Sequence, residues 1–560
     1  MVVFGDPKGA CARRFLFLSL FSVSAIFSTA TQAETADEAA QKQNDQIIQL
    51  QQQQNSAQQQ EIEQQRQHLS IDAGTLTPSK ALPDSDQCFM INSVEVIGVT
   101  TFSAKNIDKL TQPYRAKCLS LKEINELLQK LTHRYFDKGY VTTRAYLPQQ
   151  SLASGVLQIQ VIEGTVEQFD KTQAKGINIL TAFPGILNDQ LNLRDIEQGI
   201  EQLNRLGRNQ VSMELLPGSE AGNTIIQLTN NKSRFWQANI RFDNSGQPST
   251  GEYQARAYLS LDRPLWLNDF FYVSYQMDTV GDSGKDSRST SVHWDVPYGY
   301  WLLSTDASWF NYTSRVKGDA QSFDTSGDSQ SQTVKLSRIL ARNATAKTEA
   351  ITSLTRKENH NFIEDVKLDT SSRTLSVANF QIRQQKFLPG GQSLQGSLGY
   401  KRGVPVFGSV KRKSKDAPNP EYGAWLADVD YGTGFQWLNQ RWSYSTSLAA
   451  QYSDENLLGS EQFSIGSLYS VRGFNGEGLS ANSGVYLRND LAVTLPIKFK
   501  PLGLRTLKPS VGLDAGAVFN ATHYKNWLGG MATGLSFGAK YFSADLIYTR
   551  ALARPERFDA

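Results

Sequence analysis

The chain has 560 residues, more than one compact domain usually takes, so several modules are expected. Its 57 Lys+Arg stand against 54 Asp+Glu, a formal net charge of only +3, which gives no electrostatic case for a nucleic-acid partner. The five histidines are scattered and none sits at ligand spacing with a cysteine, so no metal site is expected.

The first segment reads as an address. Lys8, Arg13 and Arg14 precede the apolar run FLFLSLFSVSAIF, and Thr31-Gln32-Ala33 supplies small residues for cleavage, so residues 1–33 are expected to be a secretory signal. A membrane anchor fits poorly, because the apolar run is short and broken by serines. Cleavage removes Cys11 and sends Cys88 and Cys118 to an oxidising compartment. A disulfide between them is favoured over two buried thiols and would contribute roughly 3 to 4 kcal/mol in the chain-entropy model.

Residues 34–70 are rich in glutamine, without proline or glycine until the segment ends, and predict a helix. Its sizeable apolar residues, Ile47, Ile48, Leu50, Ile62 and Leu69, are too few for an ordinary core-facing stripe. Such a helix is a solvated spacer or weak coiled coil, or it lies inside a wet channel. Residues 71–87, with Gly74, Pro78 and Pro83, read as a linker.

One pattern then occurs twice, over 88–164 and 165–232. The first copy has the strand INSVEVIGV and a helix capped by Ser120 with Glu123. Ile124, Leu127, Leu128, Leu131 and Tyr135 form the helix's apolar face, Gly139 ends it, and the strands YVTTRAYL and GVLQIQVIEG follow. The second has Asn192 as cap, Asp195 in the first turn, Ile196, Ile200, Leu203 and Leu206 on one face, then strands VSMELL and NTIIQLT. Two small α/β modules result. They are either inert spacers or sheets whose free edges bind an extended peptide.

From about Ser233 to the end the period is two. In FFYVSYQM, Phe271, Val273, Tyr275 and Met277 alternate with Ser274 and Gln276, and RWSYSTSLAA alternates likewise. Strands of about 9 to 11 residues, with aromatics such as Trp266, Trp301, Trp309 and Trp437 at their ends, fit a transmembrane barrel. Arg256, Arg488 and Asp490 fall on inward positions, which a watery lumen tolerates and a dry sandwich core does not. The fold class is therefore mainly β: an antiparallel transmembrane barrel over 233–560, preceded by two α/β modules and a polar helix.

No catalytic or cofactor site is expected. GDSGKDS at 281–287 lacks phosphate-loop spacing and identifiable triad partners, and reads as an exposed loop. SVRGFNGEGLS at 470–480 does not match dinucleotide-binding spacing.

The ordered segments RYFDKGYVTTRAYLPQQSLASGVLQIQVIEG, LNLRDIEQGIEQLNRLGRNQVSMELLPG, DNSGQPSTGEYQ, NDFFYVSY, EQFSIGSLYSVRGF and GLDAG resemble those of the outer-membrane transporters of two-partner secretion (type Vb). These are the haemolysin secretion/activation type within the BamA-like barrel superfamily. The resemblance implies periplasmic POTRA modules that bind an unfolded partner, and a glutamine-rich helix that plugs the resting pore. The partner would be one large exoprotein (a haemolysin, adhesin or contact-dependent toxin), which crosses without nucleotide hydrolysis. It also implies a monomer in outer-membrane lipid, served by periplasmic chaperones and the barrel-assembly machinery.

The family's loop motif matches Val471, Arg472, Gly473 and Phe474 within an inward loop at about 460–483, and its acidic partner on the wall matches Asp514. Alternation sets Asp514 opposite in facing to Val511 and Leu513. The resemblance also implies sixteen strands. About fifteen can be placed, so either a boundary is misread or the last strand is absent.

Overall fold

The computed structural model describes residues 2–5, 36–66 and 88–554, except 232–233, 282–283, 318–321, 370, 416, 475–477, 500, 502, 520–525 and 540–541. The expected linker 71–87 and most of the expected signal segment lie outside the described residues.

Among the described residues, fifteen strands of eight residues or more, from Trp236–Asp243 to Ser543–Ala553, with the two-residue strand Val366–Lys367 beside the seventh, form the antiparallel meander of a closed barrel. The short strand Val2–Gly5 takes the sixteenth place and runs parallel to Ser543–Ala553, with Val2 opposite Leu546. The place that fifteen strands leave open is thus filled from the N-terminal segment. Strands two and three have the expected nine residues. Strands five to seven run 17, 21 and 18 residues, longer than expected. A tilted strand crosses the bilayer in about 9 to 11 residues, so the surplus stands above it. Trp309 is consequently the ninth residue of its 17-residue strand, not a strand end as expected.

The pleat fixes the lipid-facing side. Phe380, Tyr400, Trp425 and Tyr452 lie directly opposite one another across strands eight to eleven, and all are exposed. Trp437 ends the strand that contains Trp425, twelve residues further on. At about 3.3 Å per residue and a tilt near 45° that separation is about 28 Å of height, the spacing of two aromatic girdles across a bilayer.

The modules repeat one topology. In the first, Ser93–Ile97 pairs parallel with Val156–Ile162, which pairs antiparallel with Arg144–Tyr146. In the second, Thr165–Gln173, Asn223–Asn230 and Val211–Pro217 stand in the same relation. The helix Leu121–Asp137 carries the capping box of Ser120 and Glu123 and buries Ile124, Leu127, Leu128 and Leu131 against the sheet, while Tyr135 is buried against Phe102. Asn192 caps Leu193–Asn204, whose Ile196, Ile200 and Leu203 are buried in the second module's core. Cys88 and Cys118 are joined by a disulfide. It ties Cys88–Ile91 to Lys117–Ser120 in a two-stranded ribbon, so INSVEVIGV is two strands divided at Asn92.

Candidate functional site: a plugged pore and its inward loop

The helix α1, Ala36–Arg66, runs through the barrel lumen. Glutamine favours helix, and a helix polar on all sides is stable where every face meets polar groups. Gln43 donates to Ser314 Oγ (2.7 Å), Gln58 to Ser274 Oγ (3.3 Å) and Gln59 to Asp306 Oδ1 (2.9 Å). Gln53 donates to Ser464 O (2.9 Å) and accepts from Ser467 Oγ (2.7 Å), both on the inward loop. Asp45 pairs with Arg373 of the wall at 2.5 Å. The few apolar residues have matching patches: Ile47 packs on Phe310 and Tyr312, and Ile62 on Leu206, Phe270 and Tyr272.

The inward loop joins strands eleven and twelve, and its arms Phe463–Ile465 and Leu479–Ala481 pair as a small ribbon. Glu461 at its base is buried against Lys357 Nζ (2.7 Å) and accepts from Tyr422 Oη (2.6 Å). Val471 and Phe474 are buried with Ile465, Leu479, Val518 and Leu528.

Between them Arg472 meets Asp514 in a two-point pair, Nε to Oδ2 at 2.6 Å and Nη2 to Oδ1 at 2.7 Å. The backbone N–H of Arg472 also donates to Asp514 Oδ2 at 3.1 Å. The other guanidinium nitrogen, Nη1, reaches Asp490 Oδ1 at 2.6 Å. The Asp514 side chain is fully buried and that of Arg472 is 4% exposed. A planar fork matched to a carboxylate gives orientation as well as attraction.

Glycines make this approach possible. A β-carbon on Gly530 would stand 1.8 Å from Arg472 O, and one on Gly512 2.2 Å from Arg472 Nη2. Gly473 has φ +103° and would place a β-carbon 2.3 Å from the Arg550 backbone. Asp514 lies opposite Gly530 on one side and Arg488 on the other. The loop therefore rests on a wall shaved to backbone at its contact point.

The model described as "Haemolysin secretion/activation protein ShlB/FhaC/HecB" matches residues 222–541, and "POTRA domain, ShlB-type" matches 89–164. The chain belongs to the ShlB/FhaC/HecB family. A second POTRA model matches 162–217. "Outer membrane transporter CdiB" of Dickeya dadantii (strain 3937) is 33% identical over 466 residues, covering 81% of each chain. "Hemolysin transporter protein ShlB" of Serratia marcescens is 29% identical over 472 residues, covering 84% of this chain and 82% of the relative. The solved structure of CdiB from Escherichia coli matches with a TM-score of 0.82 at 30% identity, covering 95% of this chain and 97% of that one.

The second module also meets the barrel along a polar seam, of which sequence patterns gave no sign. Asp195 lies in the first turn of the helix that Asn192 caps, and its carboxylate accepts from Tyr300 Oη of the barrel at 2.5 Å. Burial raises its pKa despite that bond. Glu201 takes Lys347 Nζ at 2.7 Å and also Arg342. Burial alone would raise the pKa of Glu201, but the two cations outweigh it and the carboxyl is held below its ordinary range.

Arg205 of the same module reaches Asp295 of the wall. His293 then stands between Asp295 (3.0 Å) and Asp306 (2.7 Å), and Asp306 accepts from Gln59 of α1. Module, wall and plug thus share one polar chain and one apolar patch. Only the residue types were legible in advance, because the pairing depends on how the module docks on the turn at Gly299, whose N–H donates to Thr181 O at 2.8 Å.

Proposed function

We propose that this chain carries one large exoprotein across the Gram-negative outer membrane in two-partner secretion. The POTRA modules take the unfolded partner from the periplasm, and the barrel passes it without nucleotide hydrolysis. The observation that carries this reading is a membrane barrel whose lumen holds a helix bound through glutamine hydrogen bonds and the Asp45–Arg373 ion pair. A passive pore needs no such plug and no modules at its mouth.

The chain acts as a monomeric transporter and not as an enzyme, reaching the membrane with periplasmic chaperones and the barrel-assembly machinery. Residues 1–33 are a signal peptide, and its cleavage vacates the place that Val2–Gly5 holds beside Ser543–Ala553. Arg472, paired with Asp514, latches the inward loop in the position that secretion requires.

The test is co-expression with a long repeat-rich exoprotein encoded beside it. The exoprotein should reach the medium only when this chain is present. Retention in the periplasm, with the barrel folded in the outer membrane, would overturn the reading.

A further inference from the structure

The connection 404–422 between strands nine and ten is at the barrel end opposite the modules, because the modules dock on the turn at Gly299 and strands alternate in direction. Its first part, residues 404–410, lies on the outside of the wall, while Tyr422 at its end turns into the lumen. In strand eight, Leu375 and Val377 pack in the lumen with Leu457 and Leu458 of the inward loop, so Thr374 and Ser376 point outward. Val404 N–H donates to Ser376 O and Val410 N–H to Thr374 O, and residues 405–409 bulge out between these bonds. The Ser376 hydroxyl, wholly buried beneath the bulge, donates to Val406 O at 2.8 Å. Arg356, opposite Ser376 in strand seven, donates from the same outer face to Phe407 O at 3.4 Å.

This shelf shows two chemistries outward. Phe407 and Val406 are 64% and 40% exposed, with Phe407 at φ +52°. Arg402, Lys411, Arg412, Lys413 and Lys415 are exposed beside them. Among the described residues none of these five is ion-paired, whereas Arg356 is bound to Glu358 at 2.7 Å. Arg412 donates instead to the carbonyls of Ala417 and Lys415, which folds the basic run back on itself.

The level is set by the aromatic line Phe380, Tyr400, Trp425 and Tyr452. Arg402 is on the same face two residues beyond Tyr400, about 7 Å along the strand. Arg402 therefore stands just above the outer girdle, at headgroup depth, with Val406 and Phe407 exposed after it, and the run Lys411–Lys415 follows from the Val410–Thr374 rung higher on the wall. Phosphate oxygens are the matching acceptors, and apolar insertion plus charge attraction is how a segment holds an interface.

We propose that residues 402–415 form a docking shelf for a phosphorylated glycolipid headgroup of the outer leaflet. Val406 and Phe407 enter the acyl boundary and the five cations hold the phosphates.

The full chain, purified in neutral detergent, is titrated with bisphosphorylated lipid A, dephosphorylated lipid A and inorganic phosphate, with binding read by thermophoresis. Loss of the phosphates, or the combined change Lys411→Gln, Arg412→Gln, Lys413→Gln and Lys415→Gln, should weaken lipid binding about tenfold or more, an effect that shrinks in high salt. Phe407→Ser should weaken it a few-fold while the barrel keeps its heat-modifiable mobility. Equal affinity for the dephosphorylated lipid, or an unchanged quadruple variant, overturns the proposal. Displacement of the lipid by millimolar inorganic phosphate also overturns it, since the shelf would then be a site for free anions.

Discussion

The inward loop and α1 both occupy the lumen, but they are held by a different balance of contacts. The loop is fixed by a buried ion pair seated on glycines, with Glu461 as a second buried charge at its base. The plug is fixed mostly by its glutamine amides, bonds replaceable by water once the helix slides, with Asp45–Arg373 as a largely buried ion pair among them. A charge with one good partner leaves at great cost, whereas a glutamine leaves at little. Contact for contact, the loop is thus costlier to free than the glutamine face of the helix.

Breaking the loop should have the largest effect. Asp514→Ala strands Arg472 with Asp490 alone, and removing one partner of a buried pair costs roughly 3 to 5 kcal/mol, less where water enters. Secretion of the partner should fall at least about tenfold, since each 1.36 kcal/mol is tenfold, while outer-membrane insertion persists. If Arg472→Ala secreted normally from a folded barrel, the latch would be refuted. Gly530→Val tests geometry without touching a charge. Its β-carbon meets the Arg472 carbonyl at 1.8 Å, a backbone atom that cannot swing aside, so the loop must lift. Secretion should drop nearly as far as in Asp514→Ala.

The plug should respond differently. Gln53→Ala with Gln59→Ala removes hydrogen bonds worth about 0.5 to 1.5 kcal/mol each. Open-pore occupancy should rise roughly tenfold for about 1.4 kcal/mol, read as uptake of a bulky antibiotic and as conductance in planar bilayers, with secretion retained. Loss of secretion with an unchanged leak would reverse the contrast between the two regions.

Much of this contrast was legible in the sequence. Alternation set Asp514 on the face opposite Val511 and Leu513, which are exposed, and the family resemblance supplied Arg472 as its partner. The helix's lack of an apolar stripe left the lumen open as its home. What was hidden depends on register. Asp490 and Gly512 face one another, as do Asp514 and Gly530, only because strands twelve to fourteen pair with that offset. No single strand records its neighbour's alignment. The Arg205–Asp295–His293–Asp306 chain was hidden for the same reason, since it joins a module, the wall and the plug. The parallel strand Val2–Gly5 lies in a segment whose composition says only that it is exported.

The smallest effect should come from the seam between the two modules, which is held neither like the loop nor like the plug. Glu163 accepts from the backbone N–H groups of Thr100 and Thr101, both at 3.0 Å, and from Tyr135 Oη at 2.6 Å. Gln190 of the second module also donates to it. Burial pushes this carboxyl up, but the donors, led by Thr100 and Tyr135, bring it down to about 2. The folded value is thus depressed below the ordinary 4.5, so the carboxylate's contribution is fully present above that pH. It is lost as pH falls toward about 2 and does not vary near neutrality. Hydrogen-exchange protection of the Thr100 and Thr101 amides in the full chain, corrected for intrinsic rate, should decline across that acid window. Glu163→Gln should show reduced protection at pH 7 and no further loss attributable to this group in acid. Protection that declined equally in the variant would assign the acid response to another carboxylate and overturn the role given to Glu163.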